Sequence, residues 1–116
     1  QVYPGISSVQ VLAARHRIPL NTIGAPILIT TGRRLMAGFP SDQDSVVVML
    51  DGEQTFGRID PAGLDIYWGA YLGTPDEILR AGPLAELAPE IVEVRAEARA
   101  RHGWIMDTYL LRRRSA

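Results

Sequence analysis

The sequence predicts one α/β domain with a mixed sheet of roughly five strands flanked by helices. Short apolar runs of strand length, the clearest at residues 46–50, alternate with segments in which apolar residues recur at helical spacing. At 116 residues and 47% hydrophobic content, the chain is long enough to bury a core of its own. Its apolar runs fall short of the ~20 residues that a membrane span requires, so we expect no membrane segment.

The first predicted elements are a short strand at Gln1-Val2-Tyr3, which ends at the turn of Pro4-Gly5, and a helix that follows this turn. Ser7 and Gln10 have the spacing of a helix capping box, and the apolar pattern continues to about His16. The first amides of a helix lack partners within the helix and carry the positive end of its dipole, so this turn is a candidate binding place for a polar group. The alternative is a strand-to-helix junction that is merely well capped.

Two buried strands are predicted next, at residues 27–31 and 46–50, the first closed by Gly32. The segment between them, 33–42, is punctuated by glycine and proline and has room for a short helical turn. Residues 54–59 fit a short strand or a loop, and no chemistry is assigned to them.

A third strand is predicted at residues 64–72. After it, Thr74 suits a helix N-cap, Pro75 suits the first helical position and Glu77 completes a second capping box. This pattern predicts a helix after Thr74 that ends at Gly82.

Pro83 and Pro89 are each predicted to restart helical structure, and the longer piece runs from about Pro89 to Arg101 with Gly103 as its terminator. Residues 104–111 then form a final strand. The resulting order of strands and helices is that of an α/β layer structure.

Composition excludes several kinds of chemistry. The net charge of −1 argues against nucleic acid as a partner, and the absence of cysteine excludes disulfides and fits a cytoplasmic protein. All twelve basic residues are arginine, which excludes Schiff-base chemistry on lysine. Arg33, Arg34 and Arg58 are candidates for binding a carboxylate through the planar guanidinium fork, and the alternative is that they are solvated surface residues.

No catalytic or metal-binding constellation emerges from the residues themselves. His16 and His102 lie at predicted helix ends without nearby ligand partners, so we expect them on the surface and expect no metal. Turns and helix caps explain four scattered acidic residues, Asp51, Glu53, Asp76 and Asp107.

Three motifs carry a resemblance to a known family. Pro4-Gly5-Ile6-Ser7-Ser8, the apolar strand ending in Met49, and 72–77 followed by Gly82-Pro83-Leu84 resemble the second domain of the tetrapyrrole methylases, over essentially the whole chain. These enzymes of corrin and sirohaem synthesis use S-adenosylmethionine. Segments 65–73 and 101–109 resemble the member of the family that methylates C1 of precorrin-5 and releases acetate.

The resemblance implies a cofactor site for S-adenosylmethionine in a cleft between two α/β domains. By position, the residues carried over are Ser7 and Ser8 after Pro-Gly, Met49 at the end of its strand, and Gly73 before Thr74. For Met49 a place in the core is an equal alternative. Catalytic residues stay unknown, including the base that releases acetate, and Arg33 and Arg34 are the candidates for binding the tetrapyrrole (precorrin) substrate.

The resemblance also implies that residues 1–116 are the C-terminal domain of a longer methyltransferase whose glycine-rich N-terminal domain is absent here, so that the chain alone is inactive. We expect the parent protein to be a homodimer. Two alternatives stay open. One is another tetrapyrrole methylase or a related enzyme such as diphthine synthase, and the other is a non-catalytic binding or dimerisation domain.

Overall fold

The computed structural model describes residues 12–18, 27–35, 38–39, 45–49, 54–72 and 74–113. Residues 12–16 are helical and are called α1 here. The elements that follow are β1 (Ile27–Thr31), α2 (Gly32–Leu35), β2 (Ser45–Met49), a 3₁₀ turn (Thr55–Gly57), β3 (Leu64–Ala70), β4 (Ile78–Pro83), α3 (Leu84–His102) and β5 (Asp107–Arg113).

The strands form one five-stranded sheet in the order β1-β2-β5-β3-β4. The β1–β2 pair is parallel, and the pairs β2–β5, β5–β3 and β3–β4 are antiparallel. The predicted mixed sheet of roughly five strands flanked by helices is therefore confirmed.

The two faces of the sheet bury different layers, because successive side chains of a strand point to opposite sides. Val46 and Val48 of β2 join the larger core cluster with Trp68 and with Ile91 of α3. Val47 of β2 lies instead in a second cluster, whose other fully buried members are Leu12 of α1 and Leu110 of β5. The sheet thus lies between α3 on one face and α1 on the other.

The prediction of a helix after Thr74 is wrong, because residues Ile78–Pro83 form strand β4. The Thr74 hydroxyl accepts from the backbone N–H of Asp76 and donates to the carbonyl of Tyr71, so the capping signal closes only a local turn. Beyond that turn, six residues of β4 pair with β3, from Ile78 opposite Ala70 to Pro83 opposite Asp65. Pairing along the edge of the sheet thus prevails over the local helix signal.

The last helix begins earlier than predicted. Helix α3 runs without interruption through Pro89, from Leu84 to His102, and ends at Gly103, whose φ of 79° is left-handed and whose N–H donates to the Arg99 carbonyl at 2.8 Å. The final strand covers Asp107–Arg113 rather than 104–111. The ambiguous segment at 54–59 contains the 3₁₀ turn. Of the predicted first helix, the described residues 12–16 are helical and the remainder lies outside the described part.

Across the described ranges, we find no helix with the length and apolar character needed to span a membrane.

Candidate functional site

Three strands bring their carboxyl ends to one edge of the sheet, called the carboxyl edge here. β1 and β2 run parallel with Thr31 beside Met49, and β3 shares their direction because both β2 and β3 are antiparallel to β5. Ala70 at the end of β3 lies opposite Asp107, the first residue of β5. Open α/β sheets bind ligands outside the carboxyl ends of their strands, so this edge is the candidate site.

Met49 lies at the carboxyl edge as the last residue of β2 and is half-buried. It packs against the cluster of Leu12, Val47 and Leu110, to which Leu72 also belongs. The thioether of Met49 therefore serves in packing and also keeps part of its surface open at the edge.

Leu72 packs closely over the end of β3. A Cβ added to Gly69 would approach the Cδ2 atom of Leu72 to 2.7 Å and the Cδ1 atom of Leu12 to 2.9 Å, which is closer than real Cβ contacts. Glycine at position 69 therefore allows Leu72 to pack down onto the sheet, against the cluster that Met49 also contacts.

Tyr71 organises the chain where it leaves β3. Its φ of 53° is left-handed, an uncommon conformation for a bulky residue. Its backbone N–H donates to the Met106 carbonyl at 3.0 Å, and its hydroxyl donates to the Trp104 carbonyl at 2.6 Å. Its own carbonyl accepts from the N–H and the hydroxyl of Thr74, at 3.1 and 2.6 Å. One buried residue thus fixes both the turn after β3 and the loop before β5.

Asp107 is the centre of a buried polar network at the same edge. Its Oδ2 atom accepts from the Trp68 indole N–H at 2.8 Å and from Arg95 Nε at 3.0 Å, and its Oδ1 atom accepts from Arg95 Nη2 at 3.4 Å. The side chains of Arg95 and Asp107 are only 8% and 9% exposed. The expectation that turns or caps explain Asp107 is therefore wrong, since it joins α3 to β3 and β5.

The two histidines are half-buried rather than on the surface as expected. The His16 ring donates from Nε2 to the Trp68 carbonyl at 3.0 Å, and its centroid lies 5.5 Å from that of Tyr67. Burial lowers the pKa of His16 from 6.5, an effect that the hydrogen bond to Trp68 and the charge of Glu77 partly offset. His102 packs its ring against Tyr71, with centroids 4.9 Å apart.

The predicted site residues are only partly covered by the described segments. Met49 is described with its side chain, whereas Ser7, Ser8 and Gly73 lie outside the described residues. The backbone of Arg33 and Arg34 is in α2, directly after β1 and hence at the carboxyl edge, but their side chains are not described. The described residues contain no group of three histidine, aspartate or glutamate side chains that could hold a metal ion.

Sequence reasoning missed the roles of Tyr71 and Asp107 for a physical reason. Tyr71 acts through a left-handed backbone and through contacts with residues about 30 positions away, neither of which leaves a local pattern. Asp107 meets Arg95 only because the turn at Gly103 brings β5 back along α3. The sequence around Trp68 predicts a strand, but it carries no signal for an indole hydrogen bond.

Comparison with known proteins gives the family. The sequence model of the tetrapyrrole (corrin/porphyrin) methylases matches residues 1–88, well over half of the chain. The chain belongs to the tetrapyrrole methylase family. A curated member, precorrin-6A synthase [deacetylating] from Sinorhizobium sp., is 59% identical over 112 residues, which cover 97% of this chain and 43% of the relative.

Solved structures of the tetrapyrrole methylase family have the same fold. A protein from Corynebacterium diphtheriae whose name relates it to cobalamin synthesis (CobF) superposes with a TM-score of 0.89 and 44% identity, over 99% of this chain and 48% of its own. Uroporphyrin-III C-methyl transferase from Thermus thermophilus, complexed with S-adenosylhomocysteine, gives a TM-score of 0.57 at 20% identity, over 96% of this chain and 51% of its own. At that identity the second match supports the fold alone.

The chain spans about half the length of the tetrapyrrole methylases that it matches, from 43% to 51%. The activity, substrates and partners of a whole methylase therefore enter below as proposals.

Proposed function

We propose that the parent protein is an S-adenosylmethionine-dependent C-methyltransferase of cobalamin (corrin) biosynthesis that methylates C1 of precorrin-5 and releases acetate. This chain is its C-terminal half. The observation that carries the proposal is the 59% identity with precorrin-6A synthase over 97% of the chain. That match extends well past residue 88, where the model of the whole family ends.

The carboxyl edge forms one wall of the cofactor site, with Ser7, Ser8, Met49 and Gly73 as its contacts. S-adenosylmethionine supplies a methyl group on a sulfonium. The half-buried Met49, which packs against the same cluster as Leu72, offers the soft apolar surface that suits a thioether-derived cofactor. Hydrogen bonds join Thr74 to the Tyr71 carbonyl and the Glu77 N–H to the Thr74 carbonyl, so the described residues on both sides of position 73 are held in place.

The work of this wall is orientation. Methyl transfer to carbon depends on alignment of the nucleophile, the methyl group and the leaving sulfur in a site with little water, more than on a strong base. An apolar edge that is fixed by packing and hydrogen bonds provides alignment and exclusion of water. The release of acetate requires a water molecule, and this chain identifies no base for it.

The substrate and the rest of the protein complete the proposal. Arg33 and Arg34 follow β1 at the carboxyl edge, where their guanidinium groups are suited to bind carboxylates of the precorrin. An amino-terminal glycine-rich domain supplies the opposite wall of the cleft. We place the enzyme in the cytoplasm as a homodimer.

Turnover of precorrin-5 by the full-length parent protein is the test of this function. With S-adenosylmethionine present, we expect S-adenosylhomocysteine and acetate to form in equal amounts and the new methyl group to appear at C1 in the carbon NMR spectrum. Uroporphyrinogen III is the comparison substrate. Methylation of uroporphyrinogen III alone would assign a different family member, and turnover of neither compound by a folded protein that also fails to bind the cofactor would favour a non-catalytic domain.

A further inference from the structure

Two large apolar side chains lie in solvent on the loop that connects α3 to β5. Trp104 is 53% exposed and Met106 is 68% exposed, and among the described residues the other exposed large hydrophobic residue is Val92, at 39%. Ile105 between them packs against the core, so the loop alternates and directs Trp104 and Met106 outward. These two residues are called the Trp104–Met106 surface.

The backbone of the Trp104–Met106 surface and the Trp104 ring are held in place, although both side chains are exposed. Tyr71 binds the carbonyls of both residues, at 2.6 and 3.0 Å, and its ring meets the Trp104 ring edge-on with centroids 4.9 Å apart. Exposed loop residues usually retain rotational freedom, and fixing them has an entropic cost. Exposed side chains that are fixed in advance are typical of anchors in a contact surface, where tryptophan is among the enriched residues.

The Trp104–Met106 surface lies close to the carboxyl edge, which limits the groups that it can contact. Met106 directly precedes Asp107, which lies opposite Ala70 at the carboxyl edge. Tyr71 also joins the surface to Thr74, whose hydroxyl donates to the Tyr71 carbonyl. The Trp104–Met106 surface is therefore next to the proposed cofactor wall, on the side of the domain where the cleft opens.

We propose that the Trp104–Met106 surface is the contact by which this domain docks onto the amino-terminal half of the parent protein. The inference rests on the proposed function, in which such a half exists. The relatives support it by length, because this chain covers 43% of precorrin-6A synthase and 48% of the protein from C. diphtheriae, so the larger part of each lies outside it. The loop also lies beyond residue 88, the limit of the general family model, yet within the alignment with precorrin-6A synthase, which omits only a few residues of the chain.

The charges near the Trp104–Met106 surface favour the amino-terminal half of the parent protein, rather than the tetrapyrrole, as the group that contacts it. A substrate rich in carboxylates requires arginine partners, and of the three arginines of α3 Arg99 is exposed whereas the other two lie beside carboxylates. Arg95 binds Asp107, and Arg101 lies 3.8 Å from Glu97. The surface presents an indole and a thioether, which bind another apolar surface better than a polyanion.

Cysteine labelling of the full-length parent protein tests the proposal, because this chain has no cysteine of its own. Any cysteines of the other half are replaced by serine. Met106→Cys is the probe, Trp104→Cys a second probe, and Val92→Cys the matched control. Each rate of maleimide labelling is divided by the rate for the same variant unfolded in urea. In this domain Met106 is more exposed than Val92, yet we expect its cysteine to react at least about tenfold more slowly, since reaction then requires the two halves to separate.

Labelling of both probes as fast as Val92→Cys would overturn the proposal. Protection that appears only on addition of precorrin-5 would assign the surface to the tetrapyrrole, and protection that disappears on dilution would assign it to a second copy of the chain; either result contradicts docking within one molecule. The readout is independent of catalysis. A parent protein that methylates precorrin-5 while both probes react freely disproves this inference alone, and one that protects both probes without methylating disproves the proposed function alone.

Discussion

At the scale of single residues, the ion pair of Asp107 with Arg95 makes the sharpest prediction for stability. Both side chains are almost fully buried, and Asp107 also accepts from Trp68. Replacing Asp107 by leucine leaves the Arg95 charge buried without its partner. We expect this substitution to lower the free energy of unfolding by about 3–5 kcal/mol, as measured by urea denaturation.

The matched double variant distinguishes pairing from packing. A buried ion pair replaced as a whole by apolar residues is often neutral for stability. Asp107→Leu combined with Arg95→Met should therefore recover part of the loss, and the remainder reflects the Trp68 indole N–H, which lacks its acceptor in both variants. Arg95→Met alone is measured as well. If the losses of stability of the two single variants simply add in the double variant, the residues act through packing and the pairing interpretation is wrong.

His16 gives a prediction for the dependence of stability on pH. Its pKa is lowered from 6.5 in the folded protein, so the unfolded chain binds more protons between the two pKa values. The contribution of His16 to stability is thus complete above pH 6.5 and is lost as the pH falls below that value. His16→Gln keeps an N–H donor for the Trp68 carbonyl but cannot titrate. We expect the midpoint temperature of thermal unfolding to fall less steeply between pH 7 and pH 5 for this variant than for the wild type. Parallel curves would show that His16 titrates alike in both states.

At the scale of elements, the sequence predicted what local periodicity controls. The strands at 27–31 and 46–50 and the end of the last helix at Gly103 follow from apolar runs and from a glycine, and the structure has each of them to within a residue. Strand β4 was not predicted from the sequence. It depends on pairing with β3, and the residues of the Thr74 turn have the same pattern as the start of a helix. Met49 was placed correctly at a strand end, whereas the role of Tyr71 depends on contacts with a distant loop.

Pro89 tests how far packing prevails over propensity in α3. Proline there removes the backbone hydrogen bond to the Ala85 carbonyl and crowds that turn, yet the helix continues through it because Leu84, Ile91 and Ala98 are buried along one side. Pro89 itself is exposed, so Pro89→Ala removes the cost without loss of core contacts. We expect the free energy of unfolding to rise by about 1–3 kcal/mol. Glu93→Ala, an exposed change between two good helix formers, is the control. A less stable Pro89→Ala variant would show that proline is required here.

At the scale of the whole molecule, the described residues form a sheet between two helical layers, and the carboxyl edge of this sheet is held by packing and hydrogen bonds. Packing of Met49 and Leu72, the hydrogen bonds of Tyr71 and the buried Asp107 network all stabilise the carboxyl edge. These contacts lie beside the proposed ligand site. This arrangement is the one expected of a wall that orients a bound cofactor rather than of a surface that adapts to it.

The direct test of the account is calorimetric titration of the full-length parent protein with S-adenosylmethionine. Gly73→Val should obstruct binding, and Ser8→Ala should weaken it about two- to tenfold through the loss of one hydrogen bond of ~0.5–1.5 kcal/mol. Glu93→Ala, on the exposed side of α3, should bind like the wild type. Thermal unfolding measured on the same samples distinguishes a blocked site from an unfolded domain. This control is needed because valine at position 73 would destabilise the domain if the backbone there requires glycine. Wild-type affinity in both folded variants would contradict a cofactor wall at the carboxyl edge.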